Sequence, residues 1–146
     1  MNKLLQWLTV TLLSSLALVS HADQYVKYGD YEIHYIAFNS TFIAPDIAKN
    51  VGIQRSKRQA LVNISVLKVV GDTKKPVAAI IKGEATNLIP QTQEIRFKKV
   101  DEGDAIYYLG QFGHVDNQVI RLAITVQPDP NKPPYTLKFE QKFYEE

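Results

Sequence analysis

The chain has no cysteine among its 146 residues. This excludes a disulfide framework and a cysteine nucleophile. It also removes the thiol on which a bacterial lipid anchor is built. An excess of one charge is missing too, with 17 Lys and Arg against 15 Asp and Glu. Nucleic acid as a partner calls for a strong basic stripe, and none is present. The balance equally gives no support to membrane-surface binding. Histidine is scarce. Beyond residue 22 only His34 and His114 remain, and no pair has the spacing of a zinc site. Beyond residue 22 there is also no apolar run near the ~20 residues that a spanning helix needs.

Catalytic patterns are absent as well. Ser40, Ser56 and Ser65 lie in no Gly-x-Ser-x-Gly elbow. Asp101, Glu102 and Asp104 surround Gly103, but a hairpin turn accounts for them, and no distal Glu completes a calcium loop. The sequence assigns no catalytic residue, no metal ligand and no cofactor.

What is present begins at the front. Lys3 precedes an uncharged, mostly apolar run from Leu4 to Val19, and Ser20-His21-Ala22 stands just before Asp23. The pattern predicts a signal peptide over residues 1–22, cleaved after Ala22, and one domain over residues 23–146. It implies a periplasmic or secreted address with no membrane anchor after cleavage. Removal takes Lys3 and His21 away and leaves a nearly neutral domain.

The remainder reads as short strands separated by turn signals. Tyr25 to Asn39 is taken as the first strand. Its apolar parity slips by one residue at Gly29-Asp30, which implies a bulge or break there. Phe42 to Gly52 is the one helical candidate, with Pro45 at the first turn and Gly52 at the left-handed stop. Further strands are expected over Ala60 to Val70, Val77 to Ile89, Glu94 to Val100, Ala105 to Phe112, Val119 to Gln127 and Tyr135 to Tyr144. Gly71 to Pro76 is expected as a turn. The sum is an all-β, seven-stranded antiparallel β-sandwich, immunoglobulin-like in architecture, with one short helix between the first two strands. A closed barrel is the alternative.

Two features point toward binding. Arg55-Ser56-Lys57-Arg58 places three cations and a hydroxyl between the helix stop and a central strand. Arginine there could grip an anionic group through bidentate contacts, and a solvated loop is the plain reading. Tyr31 and Tyr35, with Tyr25 and Tyr28, crowd the first strand. Exposed tyrosine suits a binding surface, and core packing is the plain reading.

Tyr28-Gly29-Asp30-Tyr31-Glu32-Ile33-His34-Tyr35 leads into Ala37 to Phe42. It continues through Pro45-Asp46-Ile47-Ala48 and Gly52 to Arg58, then Ala60 to Leu67. This stretch resembles a family of small exported proteins of Gram-negative bacteria catalogued as domain of unknown function 4426. The resemblance implies a periplasmic setting and one domain, and assigns no site.

The functional expectation is a non-enzymatic binding or accessory module of the cell envelope. Its site residues would be Arg55, Ser56, Lys57, Arg58, Tyr31 and Tyr35. Its partner would be an envelope protein or a small anionic ligand. A small periplasmic hydrolase with an unrecognised site is the alternative.

Overall fold

The computed structural model describes residues 24–146. The expected signal segment and its cleavage point lie outside the described residues. Ten strands form among the described residues, in two antiparallel sheets. The first sheet runs β1 (Tyr25–Tyr28), β2 (Tyr31–Asn39), β3 (Gln59–Val70), β8 (Ile106–Gly113), β7 (Phe97–Asp101), with β4 (Thr73–Pro76) also paired to β3. The second runs β10 (Tyr135–Phe143), β9 (Gln118–Gln127), β5 (Ile80–Asn87), β6 (Thr92–Ile95). The helix α1 (Pro45–Val51) follows β2.

The expected count of seven strands is therefore corrected to ten, for three local reasons. The parity slip at Gly29-Asp30 is a chain reversal. Gly29 sits at φ 57° and Tyr28 pairs with Tyr31, so β1 folds back on β2 as a hairpin. The helix then falls between β2 and β3, not between the first two strands. Gly71, at φ 60°, reverses the chain in the same way, so residues 73–76 pair back onto β3 as β4. The expected strand Glu94 to Val100 splits at Arg96. Its first part pairs with β5 in the second sheet, and its second part pairs with β8 in the first.

Alternation builds the core. Val62, Ile64 and Val66 of β3 and Ile120, Leu122, Ile124 and Val126 of β9 are almost wholly buried and meet in one apolar cluster drawn from both sheets. β3 is central, as its two-sided apolar content implies. Its opposite face places Leu61 under α1, where Ala48 and Ile53 close a second, smaller core with Phe38 and Leu109. A seven-residue helix is too short to persist alone, so this patch holds it in place.

The edge where the β1–β2 hairpin meets β10 is closed side chain by side chain. Tyr28 packs on Tyr135 and its hydroxyl donates to the Pro133 carbonyl. Tyr35 lies against Phe139 with ring centroids 4.8 Å apart. Gln141 donates to the Ala37 carbonyl at 2.9 Å, and Asn39 donates from Nδ2 to the Tyr144 carbonyl at 2.8 Å.

Candidate functional site

The basic loop after α1 is built from its backbone outward. Gly52 takes φ 70° and ends the helix, and its carbonyl accepts from Lys98 Nζ at 2.6 Å. Gln111 donates to the Gln54 carbonyl at 2.6 Å. Ser40 and Ser56 clasp each other: Ser40 Oγ donates to the Ser56 carbonyl and accepts the Ser56 N–H, both at 2.9 Å. Ser40 is fully buried. The loop is thus pinned from three sides, and its cations stand on a fixed base. Arg55 Nη2 donates to the Thr41 carbonyl at 3.1 Å. Arg58 Nε donates to Glu145 Oε1 at 2.9 Å. Lys57 is exposed and makes no side-chain hydrogen bond or ion pair among the described residues.

The structure brings Arg55, Ser56, Lys57 and Arg58 together and places Tyr31 and Tyr35 elsewhere. Both tyrosines are partly buried and pack against the main core, Tyr35 within the β2–β10 seam. Of the tyrosines crowded in this region, Tyr28 and Tyr35 serve that seam.

A second polar group lies on the outer face of the first sheet. Glu32 is only 4% exposed, yet it carries a carboxylate. Lys74 from β4 reaches it at 3.1 Å, and His34 donates to it from Nε2 at 3.0 Å. The hydrogen bond and charge of Lys74 hold the Glu32 carboxyl below the ordinary glutamate range, against burial, with His34 adding to the effect. Tyr25 stacks on His34 with centroids 5.0 Å apart. Glu32 and His34 are two apart on one strand and so share a face. That spacing was the sequence signal for this pair, whereas Lys74, 42 residues on, left none.

Where the chain leaves β6 for β7 at Arg96, the second sheet opens into a cleft of about 540 Å³. Lys82, Glu84, Glu94, Arg96, Thr125 and Thr136 line it above Phe97 and Ala123. Its size lies in the range of small-molecule sites. Nothing in the alternating pattern of these strands announced it, because it arises from the strand changing sheets.

The deepest polar pair sits at one end of the main core. His114 and Asn39 are each 5% exposed. Asn39 Oδ1 lies 3.0 Å from His114 Nε2, and the Val115 carbonyl lies 2.9 Å from Nδ1. Phe143 packs on the imidazole. Among the described residues, no group of three or more His, Cys, Asp or Glu is arranged so that it could hold a metal ion.

A model of the family described as domain of unknown function (DUF4426) matches residues 25–146. No curated protein matches the chain. Among solved structures, a DUF4426 family protein from Pseudomonas aeruginosa PAO1 is 31% identical. The match covers 87% of this chain and 98% of that one, with a TM-score of 0.73. FetP of uropathogenic Escherichia coli strain F11, expressed in the periplasm, is 14% identical over 84% of this chain and 94% of its own, with a TM-score of 0.60. A copper-bound variant of Campylobacter jejuni P19 is 10% identical over 83% and 94%, with a TM-score of 0.53. At such identities the last two share the fold.

Proposed function

Because the chain belongs to the DUF4426 family, a domain of unknown function, its activity has to be read from its own surface, and we propose that it is a non-enzymatic binding module of the bacterial cell envelope. The periplasmic address rests on the signal pattern at the front and on the periplasmic expression of FetP, which shares the fold. No helix among the described residues is long and apolar enough to cross a membrane.

One observation carries the binding reading: the clasped loop at Arg55 to Arg58, whose cations stand on a rigid base and of which Arg58 already receives a carboxylate, that of Glu145. Preorganised arginine is suited to carboxylate and phosphate groups. The ligand class is therefore an anionic group, borne by an envelope protein or a small molecule. Tyr35 supports the β2–β10 seam and Tyr31 packs on the main core, and in this reading neither touches the ligand.

The copper binding seen in a variant of FetP and in the variant of P19 does not carry over on these residues. Thioether and thiolate ligands favour copper(I), but the chain has no cysteine and its one methionine is Met1. His114 has both ring nitrogens engaged, and Glu32, beside His34, is held by Lys74. Asn39, against which His114 sits, lies five residues from His34 along β2, or about 17 Å. The two imidazoles are thus far apart.

The cleft at Arg96 favours a second reading, a small ligand carrying both charges, held between Lys82 and Arg96 on one side and Glu84 and Glu94 on the other.

Crosslinking in the intact envelope, followed by mass spectrometry, tests the first reading. The native chain should capture a reproducible partner, and Arg55→Ala/Lys57→Ala/Arg58→Ala should lose it. Undiminished capture by the triple variant would overturn the loop as the site. Loss only on Lys82→Ala/Arg96→Ala would move the site to the cleft.

A further inference from the structure

The cleft at Arg96 exists because β6 stops short. β6 runs antiparallel to β5, and their pairing covers Gly83 to Thr86, with Gly83 opposite Ile95. The chain then leaves this sheet at Arg96, and Phe97 pairs with Gly110 in the first sheet. Over Ile80–Lys82, β5 pairs with β9 alone. Beside these three residues, a length of about 10 Å, no strand takes the course that β6 would have followed. A strand edge of this kind presents unpaired N–H and C=O groups, and Ile81 and Lys82 line the cleft on that side.

The charges around this gap are ordered along it. Glu84 and Glu94 stand opposite each other in the ladder, and like charges so placed repel. Lys82 precedes Glu84 by two residues and shares its face. Arg96 follows Glu94 by two residues. Both cations line the cleft, one step of about 7 Å beyond the carboxylates. Among the described residues, none of the four forms an ion pair or a side-chain hydrogen bond, although other charges of the chain do. Followed in the direction in which β6 runs, the gap meets two carboxylates first and two cations next.

We propose that the cleft binds a free dipeptide, extended along the open edge of β5 as the missing continuation of β6. The inference rests on the second reading above, in which the cleft holds a ligand of both charges, and it names the class of that ligand. Antiparallel addition to β5 gives the peptide the same direction as β6. Its ammonium then falls beside Glu84 and Glu94, its carboxylate beside Lys82 and Arg96, and its peptide group against the edge at Ile81. A peptide laid in reverse would set each end against its own charge, so edge and charges select the same polarity. Two extended residues span about 7 Å, which is the step between the two charged pairs.

Titration of the full chain with the dipeptide Ala-Ala, followed through the amide resonances of Ile81, Lys82 and Arg96, tests the proposal. Ala-Ala should bind saturably. Acetylating its amine or amidating its carboxylate should each weaken binding about tenfold or more, the loss of one hydrogen-bonded charge. Lys82→Ala/Arg96→Ala should bind Ala-Ala and its amide alike. Glu84→Gln/Glu94→Gln should bind Ala-Ala and its acetyl form alike. Each variant has already lost the partner of the missing charge, so the two losses do not add.

5-Aminopentanoate has the same two charges at a similar span and no peptide group. It should bind about tenfold more weakly than Ala-Ala, for want of the hydrogen bonds to the β5 edge. Equal binding of the two would overturn the peptide and leave the cleft as a site for any ligand of both charges. No saturable binding of either would overturn the peptide together with the cleft reading beneath it. Capping effects that persist unchanged in both charge variants would place Ala-Ala outside the cleft, and the proposal would fall on that result too.

Discussion

Glu32 shows at the scale of a residue how burial and charge are reconciled. A carboxylate almost out of solvent is costly alone. Lys74 and His34 supply the opposing charge and donors, and the carboxyl ionises at a lower pH in the fold than in the unfolded chain. A depressed group of this kind contributes stability above its unfolded value, about 4.3, and loses it as the pH falls further. Glu32→Gln should therefore flatten the acid limb of a stability–pH curve below about pH 4.5. An unchanged limb would mean that other carboxylates set it. The arginines predict the opposite kind of result. Arg58 is 72% exposed in its pair with Glu145, and exposed pairs contribute less than about 1 kcal/mol. Arg55→Ala/Arg58→Ala should leave the thermal midpoint within a few degrees of the native chain. A large drop would show these side chains to be structural. At this scale the sequence was legible where one strand decides the matter, as with the buried faces of β3 and β9. It was silent where partners lie far apart in the chain. Asn39 and Tyr144 are 105 residues apart, and nothing in either neighbourhood anticipates their bond.

The elements were legible to the extent that local chemistry dictates them. Pro45 and Gly52 bound α1 as their conformations require, and the parity slip at Gly29 marked a real discontinuity. Its outcome, a hairpin and not a bulge, depended on β1 finding β2, which parity cannot distinguish from a kink. The split at Arg96 was hidden for a different reason. Ile95 and Phe97 point inward on either side of it, so the alternation continues unbroken while the hydrogen-bond partners change sheet. Gly110 makes this crossing fit. A Cβ there would run into Ile95 and lie 2.9 Å from Phe97. Gly110→Ala should cost about 1–3 kcal/mol by overpacking, read as a shifted denaturant midpoint with an unchanged slope. Full stability in that variant would show that the crossing has slack.

The molecule as a whole is expected to unfold as one unit, because both sheets line one core and the chain passes between them. The connection at residues 77–79 passes from the first sheet to the second. It is tied midway where the Ala79 N–H donates to the Tyr108 hydroxyl at 2.9 Å, and Arg96 marks the passage back. Far-ultraviolet circular dichroism, dominated by strand, and tyrosine fluorescence should therefore report one coincident unfolding transition. Two separated transitions would show that the sheets come apart independently. The seam between β2 and β10 adds a consequence in time. Phe139, Gln141 and Tyr144 meet residues more than a hundred positions earlier, and closures of that span make folding slow. A ribosome releasing this chain from its N-terminus exposes β2 long before its partner exists. Until residue 144 has emerged, the seam that closes the main core cannot form, and a chain that stays open this long suits the export proposed above.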